Sequence, residues 1–255
     1  MRLFTSLLRF AVGLIYMAFA VAIFMVVCAV VAPWRGLRIR ACNVFGHVSG
    51  RVILWLASAE LENPTEWKAR AERFYPAIYV SNHTSALDIF IGIWLGPLGV
   101  VGVAKKEVVW YPFFGQLYAI SGHLLIDRSN REGAVQALAG LAKAIARYNL
   151  SVWMWPEGTR SKDGRLRPFK KGFAHLAMAT GLPIVPVVVS GAHRSWKKGS
   201  LILEPTTVGV KILDPIPTTG WTVETLDADI AEVHRRFVEA LPEDQRPLAE
   251  PNESH

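Results

Sequence analysis

The chain has 255 residues, enough for one large α/β domain with an appendage, and its 28 Lys and Arg against 21 Asp and Glu give a formal charge of +7. This balance favours anionic partners, such as phosphate groups or an anionic membrane surface. Only two cysteines occur, so neither a disulfide framework nor a cysteine-rich metal site is expected.

An uncharged apolar segment at residues 10–33 is the first predicted element. It is long enough to cross a bilayer and longer than the ~7–15-residue apolar core of a cleavable signal peptide. Two arginines precede it, at positions 2 and 9, and three follow it within residues 35–40. Because basic residues favour the cytoplasmic side, the heavier charge after the segment predicts that the rest of the chain is cytoplasmic.

A second, mostly apolar stretch at residues 41–59 is interrupted by His47 and Arg51. The two stretches together can form a hairpin that dips into one leaflet. Alternatively, the first stretch spans the bilayer, and the second is a core helix of the globular domain. We predict a membrane anchor of one or two helices at residues 1–60, a catalytic domain at 61–241 and a disordered tail at 242–255.

Short apolar runs alternate with helical patterns beyond residue 76. The predicted strands are residues 77–80, 100–104, 124–127, 152–155, 184–189, 201–203 and 208–213. Apolar residues at helical spacing predict helices over residues 135–145 and 226–237. Strands that alternate with helices predict an α/β fold with a mixed, partly parallel sheet flanked by helices.

Residues 82–88 read NHTSALD and come directly after the first predicted strand. The carboxyl ends of strands carry the chemistry in open α/β sheets. Because residues five apart on a helix face different directions, we expect His83 in a turn and Asp88 in the following helical turn, reaching back. The carboxylate would then orient the imidazole for proton transfer. The competing interpretation is a helix-capping Asp beside an unrelated His.

A second motif, GHLLIDR at residues 122–128, places Arg128 at the end of a predicted strand. A guanidinium there can hold a phosphate through two parallel hydrogen bonds, or it can form a surface ion pair with Asp127. We expect His123 to be a packed or surface histidine and not a ligand.

The third motif is WPEGTR at residues 155–160, after another predicted strand. Pro156 and Gly158 predict a tight turn that presents Glu157 and Arg160 at its edge. Arg160 is a candidate for binding phosphate, and Glu157 either accepts hydrogen bonds from substrate hydroxyls or holds Arg160. Among the basic residues at 162–171 we expect one or two to contact phosphate and the rest to form a solvated face.

A proline-containing run, LPIVPVVVSG at residues 182–191, is the fourth motif. Its two prolines predict an edge or distorted strand that lines an apolar groove, and the alternative is an ordinary core strand. The sequence has no Gly-x-Ser-x-Gly elbow, no Walker A motif and no Gly-x-Gly-x-x-Gly loop. Its histidines show no metal-ligand spacing, so we expect neither a metal nor a tightly bound cofactor.

These four motifs, in this order and spacing, resemble those of the glycerolipid acyltransferase family. Residues 82–88 match its Asn-His-x-Ser-x-x-Asp motif throughout. Residues 122–128 resemble its Gly-x-Phe-Ile-Asp-Arg motif, residues 155–160 its Phe-Pro-Glu-Gly-Thr-Arg motif with Trp155 for Phe, and residues 185–187 its Val-Pro-Val segment. The resemblance covers roughly residues 75–215, which makes residues 61–241 the expected acyltransferase domain.

The resemblance implies transfer of a fatty acyl group from acyl-CoA or acyl-carrier protein to the sn-2 hydroxyl of lysophosphatidic acid, which gives phosphatidic acid. It implies that His83 is the general base and that Asp88 orients it. The expected substrate-binding residues are Lys105, Arg128, Glu157, Gly158, Thr159 and Arg160. No covalent enzyme intermediate is implied, because a thioester is already activated.

Several alternatives stay open. The acceptor can be another lysolipid, such as a lyso-aminolipid or a lysophospholipid. The chain can also be a non-catalytic binder of anionic membrane lipids, or a lipid hydrolase that uses His83 on water. Membrane lipids are expected partners and nucleic acid is not. The expected location is the bacterial inner membrane, with the catalytic domain on the cytoplasmic side.

Overall fold

The computed structural model describes residues 1–111, 114–126, 131–197 and 199–248. Its helices are α1 Arg2–Val30, α2 Arg35–Leu56, α3 Pro64–Arg73, α4 Leu87–Leu95, α5 Phe114–Ser121, α6 Arg131–Tyr148, α7 Gly172–Thr180, α8 Ala192–Ser195 and α9 Leu226–Ala240. The strands are β1 Ala59–Leu61, β2 Ile78–Ser81, β3 Val100–Lys105, β4 Leu124–Ile126, β5 Ser151–Met154, β6 Ile184–Ser190 and β7 Thr206–Ile212. Short 3-10 helices occur at Lys106–Trp110 and Glu243–Gln245.

The strands form one sheet in the order β1-β7-β6-β2-β5-β3-β4. All neighbours pair in parallel except β6 and β7, which are antiparallel. One face of the sheet packs against α6, α7 and α9, and the other against α3, α4 and the end of α2, while Ile39 near the start of α2 packs with the first group. The predicted fold class, a mixed and partly parallel sheet flanked by helices with an N-terminal apolar helical region, is confirmed.

Two strand predictions need correction. Residues 201–203 do not form a strand: the amide of Leu203 donates to Oγ of Ser6 in α1 instead of to a neighbouring strand. The three-residue strand β1 was not predicted, because so short a run carries too little periodicity to be recognised.

The expectation of an edge strand at residues 184–189 is also wrong, because β6 lies between β2 and β7 in the sheet interior. Proline is tolerated there for a geometric reason. The carbonyl of Pro186 accepts from the amide of Leu213, one residue beyond the end of β7. In a strand, the nitrogen and the carbonyl of one residue point to the same side. The nitrogen of Pro186 therefore faces the end of β7 and not β2, and its missing N–H removes no hydrogen bond between β6 and β2.

Helices α1 and α2 form an antiparallel hairpin. Near its open end the hydroxyls of Tyr16 and Ser49 lie 3.2 Å apart, and towards the turn the rings of Phe24 and Phe45 are 5.0 Å apart. Of the described helices, only α1 is long and apolar enough to cross a membrane. Its large apolar side chains are mostly exposed, which is the surface expected of a helix that contacts lipid.

Two glycines let α2 approach α4 closely. A Cβ added to Gly46 would lie 3.4 Å from Cβ of Ile93, and one added to Gly50 would lie 2.7 Å from the carbonyl oxygen of Phe90. Small residues four apart are a common way for helices to bring their backbones together. Helix α2 also reaches β3, since Asn43 accepts from the amide of Gly99 and donates to the carbonyl of Val100. It therefore packs as a core helix as well as forming half of the hairpin.

The chain stays packed beyond the expected start of the tail at residue 242. Gln245 is buried, its side-chain oxygen accepts from the amide of Gly191, and its backbone carbonyl accepts from the amide of Leu166. These contacts correct the predicted tail for residues 242–248, and residues 249–255 lie outside the described part of the chain. The division at residue 60 stays a prediction.

Substituting Gly50 with Ala should destabilise the fold, because the new methyl group meets backbone atoms of α4 that have no free space to move into. We expect a loss of about 1–3 kcal/mol, which corresponds to a lower unfolding temperature. Gly140 in α6 has nothing within 4 Å of an added Cβ. Gly140→Ala is therefore the matched control and should gain about 0.5–1 kcal/mol. Thermal unfolding in detergent, followed by circular dichroism, measures both; equal unfolding temperatures for the two variants would contradict the close packing.

Candidate active site

The first and third motifs meet at the carboxyl ends of two neighbouring parallel strands. Residues 82–88 follow β2 and residues 155–160 follow β5. The backbone amide of His83 donates to Oε1 of Glu157 at 2.7 Å, and the backbone carbonyl of His83 accepts from the amide of Ser161 at 2.8 Å. These two bonds hold the histidine backbone between the two motifs.

His83 and Asp88 lie as the sequence predicts, the histidine in the turn and the aspartate in the first turn of α4. Nδ1 of His83 is 3.0 Å from Oδ2 of Asp88. The same carboxylate oxygen accepts from the backbone amides of Thr84 at 2.6 Å and Ser85 at 2.7 Å. Since a carboxylate only accepts, Nδ1 carries the proton and Nε2 is left as the basic nitrogen.

The two side chains of this pair differ in their access to solvent. The side chain of Asp88 is 1% exposed, whereas that of His83 is 13% exposed. The His83 ring packs 5.2 Å from the ring of Trp155, and Nε2 makes no hydrogen bond with any described residue. The imidazole is thus supported from one side and keeps a nitrogen available for a ligand.

Asn82 joins this turn to β6; the sequence indicated it as a turn-forming residue of the first motif, but not this link. Its side-chain nitrogen donates to the carbonyl of Val189, and its side-chain oxygen accepts from the amide of the same residue, both at 2.8 Å. The amide side chain continues the backbone ladder past the end of β2 and fixes where the histidine turn begins. Its position directly after a buried strand was the available signal, but the partner lies 107 residues away.

Glu157 is a buried carboxyl group, only 2% exposed. Burial raises the pKa of Glu157 to about 8, against the opposing effect of the hydrogen bond from the His83 amide. The nearby charge of Asp88 raises the pKa of this group further. Glu157 is therefore mostly protonated near neutral pH. Oε1 of Glu157 accepts from the His83 backbone amide, and the Arg167 backbone is a second hydrogen-bond partner of this carboxyl group.

Gly158, Thr159 and Arg160 follow Glu157 in the predicted turn. Gly158 has a φ of +71° and lies under Lys170, whose Nζ is 3.0 Å from the position of an added Cβ. Thr159 is exposed and Arg160 is partly buried. Among the basic residues at 162–171, Lys170 contacts the third motif. Its backbone amide donates to the carbonyl of Pro156.

The remaining predicted site residues are placed less completely. Arg128 and Asp127 lie outside the described residues. Lys105 ends β3, next to β5 in the sheet, and only its backbone is described. His123 is packed, as expected: its Nδ1 accepts from the amide of Gly102 at 2.9 Å, and burial lowers its pKa to about 4. Within the described part of the chain no group of His, Cys, Asp and Glu is arranged to hold a metal ion.

Comparison of the sequence with known proteins identifies the family of this chain. A family model described as Acyltransferase matches residues 66–190. A 1-acyl-sn-glycerol-3-phosphate acyltransferase of Limnanthes alba is 46% identical over 224 residues, which cover 87% of this chain and 78% of the relative. The chain belongs to the glycerolipid acyltransferase family. An enzyme of the same name from Haemophilus influenzae is 36% identical over 181 residues, covering 69% of this acyltransferase and 72% of the relative.

A solved structure supports the fold independently. The 1-acyl-sn-glycerophosphate acyltransferase of Thermotoga maritima superposes with a TM-score of 0.71 and covers 94% of this chain and 95% of its own. At 23% sequence identity this likeness concerns the fold alone. Because the superposition covers 94% of this acyltransferase, the similar fold includes the helical hairpin as well as the sheet.

The raised pKa of Glu157 makes a prediction for the pH dependence of acyl transfer. The neutral carboxyl is the form present below pH 8, so the rate should fall as pH rises through about 8, when a second buried negative charge appears beside Asp88. Glu157→Gln stays neutral at every pH and should lose that decline. Initial rates from pH 6 to 10, corrected for thioester hydrolysis without enzyme, test this. The same alkaline decline in both proteins would contradict it.

Proposed function

We propose that this acyltransferase moves a fatty acyl group from acyl-CoA or acyl-carrier protein to the sn-2 hydroxyl of lysophosphatidic acid, giving phosphatidic acid. The observation that carries the proposal is the bond between Nδ1 of His83 and the buried carboxylate of Asp88. Relatives named as 1-acyl-sn-glycerol-3-phosphate acyltransferases supply the substrate class.

His83 acts as the general base in this proposal. Its Nε2 takes the proton from the acceptor hydroxyl while the hydroxyl oxygen attacks the thioester carbonyl carbon. The tetrahedral adduct then expels the thiolate, which receives the proton from the imidazolium. Asp88 stabilises that imidazolium through the Nδ1 bond and fixes its tautomer. No acyl-enzyme forms, because the thioester needs only positioning and a base.

Arg160 binds the phosphate of the acceptor, together with Arg128 and Lys105. Support comes from the geometry around the motif: the loop that carries Arg160 is bonded to the His83 backbone through Glu157 and Ser161. A phosphate held there would bring a neighbouring glycerol hydroxyl towards the imidazole. Glu157, protonated near neutral pH, contacts the glycerol as a neutral group and adds no charge that would repel the phosphate.

The hairpin α1–α2 anchors the enzyme, and we favour insertion into one leaflet. Helix α1 is held along the domain at both ends, by the bond between Ser6 and Leu203 and by packing of Phe24 and Cys28 with Leu117 of α5. Because both ends of α1 contact the domain, the helix cannot cross the bilayer unless part of the domain also enters it. The proposed location is the cytoplasmic face of the bacterial inner membrane, where acceptor and product reside.

A panel of acceptors and donors tests the function as a whole. Purified protein is incubated with lysophosphatidic acid, lyso-aminolipid and lysophospholipid acceptors, each with acyl-CoA and acyl-carrier-protein donors, and the products are identified by mass. We expect phosphatidic acid as the main product. Preferred acylation of another lysolipid would replace the acceptor in the proposal, and free fatty acid without an acceptor would indicate a hydrolase instead.

His83→Ala should abolish transfer while the fold is kept, since the side chain makes one side-chain hydrogen bond and its backbone bonds remain. Loss of a general base costs about 10²–10⁴ in rate. His175→Ala, an exposed histidine on α7, is the matched control. Thiol release from acyl-CoA measures both variants. Activity of His83→Ala above a few per cent of wild type would remove the base assignment.

Arg160→Ala should mainly raise the Michaelis constant for lysophosphatidic acid. A lost charge-assisted hydrogen bond of ~1.5–3 kcal/mol corresponds to about tenfold or more. Lys162→Ala removes the same charge from an exposed position two residues away and should change little. An unchanged constant in Arg160→Ala, or an equal rise in Lys162→Ala, would place the phosphate elsewhere.

A further inference from the structure

The connection from α8 to β7 carries apolar residues that the domain does not cover. Leu201 is 59% exposed and Ile202 is 37% exposed, whereas Leu203 beside them is buried. Neither side chain belongs to the hydrophobic core of the described residues. Adjacent exposed apolar side chains matter when they are part of a larger apolar surface, because such surfaces mark contacts with partners or membranes.

This connection lies against the first turns of α1. The amide of Leu203 donates to Oγ of Ser6, and Glu204 pairs with Arg2 at 3.4 Å. The rings of Phe10 and Trp196 are 5.1 Å apart. The first turns of α1 themselves expose large apolar side chains, including Phe4 at 72%. Leu201 and Ile202 therefore extend the exposed apolar surface of the one described helix that is suited to a bilayer.

The same connection is bonded to the first motif. The hydroxyl of Ser85 donates to the carbonyl of Trp196 at 3.0 Å, and the amide of Ser85 donates to Oδ2 of Asp88. One serine thus separates the connection from the carboxylate that orients His83. The connection from α8 to β7 therefore lies next to the end of the sheet that carries His83, and so does any surface that this connection contacts.

We propose that Leu201 and Ile202 form a second membrane contact, which enters the bilayer beside the first turns of α1 and sets the His83 edge of the sheet at the lipid surface. The occupant is the bilayer, because the patch adjoins the first turns of α1 and because an exposed basic residue accompanies it. Lys197 lies in the same connection, and Glu204 is already paired with Arg2. The consequence for catalysis rests on the proposed function, in which the acceptor is a membrane lipid.

A fluorescent label tests the contact without any need for activity. The native cysteines Cys28 and Cys42 are buried, so Leu201→Cys in the full-length chain provides a selective site for an environment-sensitive fluorophore. Val223→Cys is the matched control, because Val223 is 70% exposed, at least as much as Leu201, but precedes α9, which packs on the sheet face opposite to α4. Vesicles of phosphatidylglycerol and phosphatidylethanolamine are added, and sedimentation shows how much protein they bind.

We expect the label at position 201 to shift to the blue and brighten on vesicles, and to be quenched by lipids that carry a quencher in the acyl chain. The label at position 223 should not respond. Unchanged emission at position 201 in protein that sediments with vesicles would overturn the proposal, and so would equal responses at both positions or a failure to bind vesicles.

A kinetic comparison tests the consequence for catalysis. The double variant Leu201→Ser with Ile202→Ser should lower the rate with lysophosphatidic acid in vesicles by about fivefold or more, since two apolar side chains leave the lipid. Its rate with a short-chain, monomeric acceptor should match wild type. Val223→Ser, at an exposed apolar position that precedes α9, should change neither rate. Equal losses with both acceptors, or no loss with either, would overturn the proposal.

If the wild-type protein is inactive on both acceptors, the proposed function is refuted. The fluorescent label still measures the membrane contact in that case.

Discussion

A single carboxylate oxygen organises the catalytic edge of this protein. Oδ2 of Asp88 accepts from Nδ1 of His83 and from two consecutive backbone amides of the turn between them. The backbone bonds curl the turn around the carboxylate, and the carboxylate then determines which imidazole nitrogen keeps its proton. Because Asp88 lies in the first turn of α4, the positive end of the helix dipole also favours negative charge at this position.

The sheet supplies the rest of the site by bringing parallel strand ends together. Strand β2 lies between β5 and β6, so the turn after it receives Glu157 and Ser161 from one neighbour and is tied through Asn82 to the other. The site is therefore held mainly by hydrogen bonds between side chains and backbone, and Nε2 of His83 is left available for a ligand. The second half of α2 packs on the opposite sheet face from α6, α7 and α9, and the connection after α8 is bonded both to α1 and to the catalytic turn.

Local features were predictable from the sequence and distant pairings were not. His83 and Asp88 are five positions apart in the sequence, so the geometry of a turn followed by a helix was enough to predict that they meet. The strands β2 to β7 and the α/β class followed from hydrophobic periodicity. The pairing of Asn82 with Val189 and the return of Lys170 to Gly158 depend on strand order, which no local pattern specifies.

The errors have equally physical causes. Proline in residues 182–191 predicted an edge strand, but the missing N–H of Pro186 faces a strand that has already ended. The apolar run at 201–203 predicted a strand, yet two of its three residues are exposed on the side of α1. Hydrophobicity alone does not distinguish burial in a sheet from contact with a lipid surface.

The central claim is that Asp88 keeps His83 protonated on Nδ1 and leaves Nε2 basic. Nitrogen NMR of protein with isotope-labelled histidine, assigned by comparison with His83→Gln, observes the two ring nitrogens separately. At a pH where the imidazole is neutral, the account predicts a protonated Nδ1 and a bare Nε2. A proton on Nε2 with a bare Nδ1 would contradict it, because that tautomer leaves no base for the acceptor hydroxyl.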